Sequence, residues 1–408
     1  MVRPPVWIGN GRCVIVQWVG ASQRKSRILI RTWCLSLAVL VASSSAFAAN
    51  DSIDRDLAED FYEAQLEQQS AGLPRLLGTV TVEIEQDWTP RANDPDRETA
   101  DLYANIDGFL RLLLTPEFNL QSDLIFEPID DSKQNYRAFE GHGLVVETLA
   151  AEYEDEAGSV KIGKFDPIEG IWDRATRFFD SFIDDDFDLS ESIAARGQVA
   201  VRGAAIGAHS LTGGVFFSDT SVLSNPIFSD ESRLDRDDGG LANTERFDNA
   251  VITLSAESLP FLPQAGYAVG LARRSAGRTE SRDETALFAG LYGLAEPDDD
   301  TEIEGFLQVL RLENAGGEDG STASYLVGGA VTVDNWQFLA SHSARFRDDP
   351  EQGGSSRTDH DWQASVGYIF EAGFYIYGAY RYGDDADGEV HTLGAFIGYE
   401  LDFDTVLR

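Results

Sequence analysis

Short segments in which apolar and polar residues alternate run through most of this 408-residue chain. In the segment 118–126, positions 118, 120, 124 and 126 are apolar, whereas positions 119, 121 and 123 are polar. Successive side chains of a β-strand point to opposite faces, so such a segment has one apolar face and one polar face. The pattern therefore predicts strands that separate an apolar environment from water.

Sixteen such segments are recognisable, each close to the roughly 9–11 residues that a tilted membrane-spanning strand requires. They lie at 77–88, 100–114, 118–127, 143–153, 158–165, 196–206, 208–218, 247–257, 264–275, 284–294, 302–313, 322–333, 335–346, 360–370, 373–383 and 389–403.

The connections between these segments are short and long by turns. Short ones follow the even-numbered segments, at 115–117, 154–157, the region of Gly207, 259–263, 295–301, 334 and 371–372. The longest, 166–195 and 219–246, follow odd-numbered segments. Bacterial outer-membrane barrels have short periplasmic turns and longer external loops. The sequence thus predicts an all-β fold, a transmembrane 16-stranded antiparallel β-barrel over residues 76–408. The alternative is a soluble, acidic, secreted β-protein.

Aromatic residues mark the ends of several segments. Trp336 and Phe338 lie near one end of the segment 335–346 and Phe346 at the other, as expected of two girdles at the membrane interfaces. In the last segment, the odd positions 393–403 are apolar and are predicted to face outward.

The N-terminal region has the features of an export signal. Residues 24–31 are basic, residues 34–42 are apolar, and Ala46-Phe47-Ala48 provides a small-x-small cleavage pattern. The apolar stretch is shorter than the roughly 20 residues of a membrane-spanning helix. We therefore interpret residues 1–48 as a signal region, of which 1–23 fit a start site assigned too far upstream.

Removal of that region changes the composition. Residues 1–48 contain both cysteines and six Lys or Arg, and the remainder carries 26 basic against 70 acidic residues, a formal charge of −44. A chain without cysteine has no disulfide, thiolate metal site or Cys nucleophile. The strong negative charge argues against nucleic acid as a partner.

Residues 49–75 lack the strand alternation. Ile53, Leu57, Phe61 and Leu66 are spaced among acidic residues and glutamines in a way that indicates a short amphipathic helix in the periplasm. A helix that plugs the barrel, one that pairs protomers, and a mobile chain end are the alternatives.

The stretch after the fifth segment is acidic and aromatic. Lys161-Ile162-Gly163-Lys164-Phe165 is followed by Asp166-Pro167 and Glu169-Gly170, and here the chain resembles the sixteen-stranded bacterial porins. The resemblance implies that this third long loop folds into the barrel and narrows the pore. The constriction acids would be Asp173, Asp180, Asp184, Asp185, Asp186 and Asp188, and Trp172, Phe178 and Phe179 would anchor the loop to the wall. A solvated external run of acids is the alternative.

The same resemblance implies that basic residues on the wall oppose the loop. The inward-facing candidates are Arg111, Lys161, Arg202, Arg345 and Arg347. Six acids share the inward face with them, namely Glu83, Glu85, Asp107, Asp123, Glu147 and Glu400. Rings of Asp and Glu favour cations, so the sequence predicts a preference for cations. The chain departs from the family at its end, where five residues follow Phe403.

Catalytic and metal-binding patterns are weak. The five histidines are dispersed, which predicts no metal site. His342-Ser343 are strand neighbours that point to opposite faces and so do not form a nucleophile–base pair. Asp235-Arg236-Asp237-Asp238-Gly239 begins like a calcium loop, but its twelfth position is Arg246 instead of Glu. We predict no enzymatic activity and no cofactor.

These observations predict an outer-membrane porin of a Gram-negative bacterium that passes small hydrophilic solutes, with cations preferred. Its partners would be outer-membrane lipid and lipopolysaccharide, and the resemblance implies a homotrimer. The alternatives are a substrate-specific channel for a sugar, phosphate or polysaccharide, and a non-conducting barrel that serves as adhesin, scaffold or hydrolase.

Overall fold

The alternating segments form strands, because their β-branched and aromatic residues favour pleated structure. This computed structural model describes residues 72–129, 136–168, 179, 186–203, 207–229, 234–260, 262–298, 300–349 and 355–407. Within them, the strands are β1 (Arg75–Ala92), β2 (Ala100–Leu113), β3 (Phe118–Pro128), β4 (Tyr136–Ala138), β5 (His142–Asp155), β6 (Gly158–Lys164), β7 (Ser192–Gly203), β8 (Gly207–Ser218), β9 (Asn249–Ser258), β10 (Ala265–Arg274), β11 (Glu284–Asp298), β12 (Thr301–Glu313), β13 (Ser321–Val333), β14 (Trp336–Asp349), β15 (Ser355–Ile369), β16 (Phe374–Asp385) and β17 (Gly388–Val406).

These strands form one closed antiparallel barrel. Each barrel strand pairs with the next along the chain, and β17 pairs with β1, which also pairs with β2. The three-residue β4 is an accessory strand, parallel to the start of β2. The other sixteen are the barrel strands, so the predicted fold class is confirmed. Closure leaves no open sheet edge, which a structure in lipid requires.

The predicted strand positions agree with the structure to within a few residues, and the largest difference is at the start of β15. The strand predicted at 196–206 is β7, which begins at Ser192, and the strand predicted at 360–370 is β15, which begins at Ser355. Both extensions are at the external side, and that of β15 consists of the polar residues 355–359.

The outer face of the barrel is apolar. On β11, Leu287 is 51% exposed while its neighbours Ala286 and Phe288 are 1% exposed, because the latter face the crowded interior. The predicted outward residues of the last strand behave likewise, with Leu393, Ile397 and Leu401 exposed. An apolar exterior on a closed barrel is suited to lipid. Among the described residues, no helix is long and apolar enough to cross a membrane.

Aromatic residues gather at both ends of this outer face. At the periplasmic end, the Trp336 ring lies 6.4 Å from that of Phe338 and 5.0 Å from that of Tyr368. Towards the external end, Tyr325 and Phe346 have ring centroids 6.4 Å apart. Both predicted girdle positions thus carry aromatic side chains on the outer face.

Inward aromatic rings lie across glycines of neighbouring strands. Phe288 of β11 is directly opposite Gly270 of β10, and a side chain on Gly270 would overlap the Phe288 ring. Phe306 covers Gly328 in the same way. Large inward rings can lie flat only where the adjacent strand has no Cβ, so these glycines keep the wall thin.

Candidate functional site

The interior of the barrel has two sectors of different chemistry. The apolar sector comprises the inward faces of β8–β13, and its large buried residues include Phe216, Phe288, Phe306, Leu310, Leu312 and Leu326. The polar sector comprises the inward faces of β14–β17, β1–β3 and β5. Every strand in both sectors alternates, so the difference lies in which residue types occupy the inward positions.

Residues on either side of the long loop after β6 pack against the apolar sector. Phe165 and Ile168 precede the loop, Phe187 and Leu189 end it, and all four belong to the same buried cluster as Phe216 and Phe288. The Arg274 guanidinium lies over the Phe187 ring at 4.2 Å from its centroid. Burial of four large apolar side chains contributes on the order of 1.5–3 kcal/mol for each. This segment is therefore held firmly at both ends.

Two further residues of the segment contact the polar sector. The Phe179 backbone N–H donates to Gln363 Oε1 at 3.3 Å, and Arg345 Nη1 donates to Asp186 Oδ1 at 3.0 Å. Gln363 is an inward residue of β15 and Arg345 is an inward residue of β14. Seven barrel strands separate β6 from β14 in either direction around the barrel.

Arginines and aspartates form a network on the external half of β14–β16. Asp359 is fully buried, and its carboxylate accepts from Arg345 Nε at 2.9 Å and lies 3.3 Å from Arg347 Nη2 and 2.8 Å from Arg357 Nε. On the adjacent strand, Arg381 Nε donates to Asp361 Oδ1 at 2.8 Å, and Gln363 donates to the other oxygen of that carboxylate. Since buried carboxylates are costly unless they are paired, the arginines stabilise the charges of both aspartates.

Five carboxylates follow one another around the polar sector, one on each of β17, β1, β2, β3 and β5. We call Glu400, Glu83, Asp107, Asp123 and Glu147 the acidic belt. Glu83 lies close enough to Asp107 and Glu400 for electrostatic repulsion, and Asp123 shares a hydrogen bond with Asp107 and is repelled by Glu147. Two carboxyl groups share a hydrogen bond only when one of them is protonated, so the belt carries at most four negative charges and is a region of negative potential.

A smaller group of charges lies between the two sectors. Lys161 of β6 is directly opposite Arg196 of β7, and both lie beside the Phe165 ring, at 4.9 and 5.5 Å from its centroid. Arg196 Nη2 is 3.8 Å from Glu152, which is also 3.7 Å from Arg111 Nη2. Glu152 thus lies between two arginines and reduces the positive charge at this place.

The predicted site residues divide into three groups. Phe179, Asp186, Arg345 and Arg347 are brought together on the β14–β15 side. Arg111 and Lys161 lie near Glu152, away from that side, and Asp188 is exposed and accepts from the Ser190 N–H. The remaining predictions, namely Trp172, Asp173, Phe178, Asp180, Asp184, Asp185 and the side chain of Arg202, lie outside the described residues.

Sequence reasoning missed Asp359, Asp361, Arg357, Arg381 and Arg196. For Asp361, Arg381 and Arg196 the sequence contained a signal, because each lies at a polar position of a predicted segment whose alternate positions are apolar. Trp362 and Ile376, for example, are exposed on the outer face, while Asp361 and Arg381 point inward. Arg357 and Asp359 precede the predicted segment 360–370 and were missed with the start of β15. What the sequence lacks is the pairing of β15 with β14 and with β16, which brings the charges of these three strands together.

The structure also describes the two weaker chemical patterns of the sequence, His342-Ser343 and the segment that begins at Asp235. Ser343 is buried on the inner face, whereas His342 stacks on the outward Trp362 with ring centroids 3.8 Å apart, so the two residues point in opposite directions as expected. In the segment beginning at Asp235, Asp238 accepts from the Asp235 N–H and caps a short turn. The part of the chain that the structure describes contains no group of three or more potential metal ligands.

The barrel is similar to solved structures of bacterial outer-membrane proteins. OprB of Pseudomonas putida has 11% sequence identity and a TM-score of 0.51, with 84% of this chain and 97% of that chain covered. A loop L8 deletion mutant of OmpT, an outer membrane protein of Vibrio cholerae, has 13% identity and a TM-score of 0.50, with 80% and 99% covered. The outer membrane channel DcaP of Acinetobacter baumannii has 9% identity and a TM-score of 0.50, with 80% and 96% covered.

The sequence matches no protein-family model and no curated protein. The likeness therefore concerns the fold, which agrees with the closed sheet, the apolar exterior and the aromatic girdles. These features suit the outer membrane, the compartment in which such barrels occur. This chain has the sixteen-stranded barrel fold of the bacterial outer-membrane porins.

Proposed function

We propose that the protein is a water-filled channel through which small hydrophilic solutes diffuse across the outer membrane. The observation that carries the proposal is the polar sector, which lines about half of a closed barrel with charged and amide side chains. Such a surface is stable inside a membrane protein only if water or protein contacts it. DcaP, which has a similar fold, is an outer membrane channel.

We propose further that the channel prefers cations. The acidic belt supplies negative potential on five neighbouring strands, and rings of Asp and Glu favour cations. The interior arginines of β14–β16 are bonded to Asp359, Asp361 and Asp186, so their positive charge is largely balanced locally. The net field along the polar sector is therefore negative.

We also propose that the segment after β6 crosses the lumen and narrows it. Its support is the pair of contacts from Phe179 and Asp186 to β15 and β14, strands on the opposite side of the barrel from β6. The ends of the segment pack on the apolar sector, so the open part of the lumen would lie along the polar sector. The passage would then be off-centre.

The predictions of no enzymatic activity and of a homotrimer stay as proposals. The opposite orientations of His342 and Ser343 support the first. Refolded protein incubated with ester and peptide substrates tests it, and cross-linking in outer-membrane fractions tests the trimer. Contact with lipid and lipopolysaccharide follows from the apolar outer face.

Single-channel recording of refolded protein in planar bilayers tests the main proposal. We expect stable open steps in KCl and, under a KCl gradient, a reversal potential that shows cation preference. Correctly folded barrels that never conduct would contradict the channel, and a reversal potential on the anion side would contradict the preference while leaving the channel in place.

A further inference from the structure

Three aromatic side chains form a patch in the periplasmic half of the polar sector. They are Tyr375 and Tyr377 of β16 and Phe396 of β17, and we call them the aromatic patch. Tyr377 and Phe396 are directly opposite each other, with ring centroids 4.9 Å apart and an angle of 25° between the planes. Tyr375 is 3% exposed and meets both rings edge-on, so it forms the floor of the patch.

The rings are oriented by glycines and hydrogen bonds. A side chain on Gly398 would overlap the Tyr375 ring, and one on Gly367 would overlap the Tyr377 ring. Beyond these glycines, the Tyr375 hydroxyl donates to Glu83 Oε1 at 2.7 Å and the Tyr377 hydroxyl donates to Gln337 Oε1 at 2.8 Å. A ring that lies on a glycine turns its other face away from the wall. Tyr377 and Phe396 are both half-buried, and the exposed part of this stacked pair faces the lumen.

Negative charge adjoins the patch. Glu83 is bonded to Tyr375 and lies beside Glu400, which is on the same strand as Phe396. The face of an aromatic ring carries partial negative charge, and it attracts cations within about 6 Å of its centroid. Ring faces and carboxylates therefore favour the same kind of ligand, a cation with an apolar part.

We propose that the aromatic patch, together with Glu83 and Glu400, is a subsite for organic cations that carry an apolar or aromatic group. This inference rests on the proposed channel, because the ligand reaches the patch through the lumen. The charged group would lie near Glu83 and Glu400, and its apolar part would stack on Tyr377 and Phe396. Small inorganic cations would be attracted by the carboxylates alone.

Packing by itself does not account for the arrangement. Phe288 and Phe306 of the apolar sector also cover glycines, but they are buried in a continuous apolar cluster. The aromatic patch instead lies among carboxylates and Gln337, where apolar rings gain less from burial. The Tyr375 and Tyr377 hydroxyls bond to β1 and β14, each one strand beyond the adjacent strand, and hold the rings in place in this polar surrounding.

Titration of the refolded full-length barrel in detergent micelles tests the subsite without requiring conduction. The probes are benzyltrimethylammonium, tetramethylammonium and neutral benzyl alcohol, with binding followed by calorimetry. We expect benzyltrimethylammonium to bind at least threefold more tightly than tetramethylammonium, and benzyl alcohol to bind more weakly than both. Tyr377→Leu and Phe396→Leu should each weaken benzyltrimethylammonium binding by about two- to fivefold, the range of a partly exposed cation–π contact.

Two control variants separate the contributions. Phe338→Leu removes a ring from the outer face and should leave binding unchanged. This variant also controls for partition of the probe into the micelles. Glu83→Gln keeps an oxygen acceptor for the Tyr375 hydroxyl and removes the charge, so it should weaken both cations by a similar factor. Heat-modifiable migration on gels verifies that each variant is folded.

The same probes added to the periplasmic side of conducting channels give a second measurement, the concentration for half-block of the K⁺ current. If both cations bind and block equally, or if the ring variants match Phe338→Leu, the subsite is wrong. If benzyl alcohol binds as tightly as benzyltrimethylammonium, the ligand class is wrong. If binding behaves as expected but the barrel never conducts, the proposed channel fails and the subsite stands.

Discussion

At the scale of single residues, the interior charges depend on their neighbours more than on their position in the sequence. Arg345 and Arg347 were predicted as basic wall residues that face the lumen, and the structure places both at Asp359, which is fully buried. A paired arginine contributes little to the field in the lumen, and removal of its partner would leave an uncompensated buried charge. The negative field is accordingly attributed to the acidic belt.

Removal of the Asp359 carboxylate should destabilise the barrel. Asp359→Ala leaves Arg345, Arg347 and Arg357 close together without their common anion, and breaking a buried pair costs about 3–5 kcal/mol. Urea unfolding of the refolded barrel measures the change in free energy. Asp319→Ala, which breaks the exposed pair with Arg282, is the control and should cost less than about 1 kcal/mol. Equal effects of the two variants would contradict the structural role of Asp359.

The contacts of one loop carboxylate should depend on pH in a defined way. Asp283 accepts from the Ala276 N–H at 2.9 Å and pairs with Arg273, and these bonds lower its pKa below the usual value of 3.8. Because the pKa of Asp283 is lower in the folded state, the contact contributes fully to stability at pH values above the pKa of Asp283 in the unfolded chain. It is lost as the pH falls through the lower folded value.

Hydrogen exchange at the Ala276 amide measures this contact. We expect protection, relative to the intrinsic rate at each pH, to persist at pH 4 and to fall only at lower pH. Asp283→Asn should remove that pH dependence. Protection that already declines between pH 6 and pH 4 in the unaltered protein would contradict the assignment.

At the scale of elements, the sizes of facing side chains determine how adjacent strands pack. Inward aromatic residues lie opposite glycines on the neighbouring strand, as Phe288 does opposite Gly270. Such pairs fix the register, because a slip by one residue would place a Cβ under the ring and would turn every side chain to the other face. Strand pairing in this barrel therefore has a steric component beyond backbone hydrogen bonds.

Substitution of one of these glycines should be costly. Gly270→Ala places a methyl group within the Phe288 ring and should lower the free energy of unfolding by about 1–3 kcal/mol, as overpacking does. Gly305→Ala is the matched control, since a Cβ at Gly305 meets nothing within 4 Å. Urea midpoints of the two refolded variants are compared. A control as destabilised as Gly270→Ala would show that flexibility of the glycine, and not ring contact, is what matters.

At the scale of the whole molecule, the barrel is divided lengthwise. The apolar sector serves as packing surface for the ends of the long loop, and the polar sector contains the acidic belt and the arginine network. In our proposal, solutes pass along the polar sector and the long loop limits their size. Selectivity is then shared between the belt and the acids of the loop.

Neutralising the belt tests this division. The triple variant Glu83→Gln, Asp107→Asn, Glu400→Gln should shift the K⁺/Cl⁻ permeability ratio markedly toward one, measured as a reversal potential under a KCl gradient. Neutralising Asp184, Asp185 and Asp186 should reduce selectivity as well. Glu117, Asp300 and Glu371, which are exposed in periplasmic turns, provide a control triple that should leave the ratio nearly unchanged. A ratio unaffected by the belt variant would contradict its role.

The sequence by itself determined the strands, their number and the side of the wall that each residue faces. These properties are local, since the alternation 118–126 specifies two faces without reference to any other segment. The lengths of the connections showed that short turns and longer loops alternate along the chain, which indicates a closed antiparallel barrel. The acidic composition is likewise readable without a structure, whereas the export signal and the N-terminal helix stay predictions, because residues 1–71 lie outside the described residues.

Only the tertiary structure decided which charges meet. Asp359 and Arg345 are 14 residues apart, Asp186 and Arg345 are 159 apart, and no local pattern joins them. Pairing of β15 with β14 and with β16 places the arginines at their aspartates, and closure of the sheet brings Tyr375 to Glu83 across Gly398. Alternation tells which face a side chain occupies, whereas register and closure of the sheet decide its neighbours. That is why the wall was predictable and its electrostatics were not.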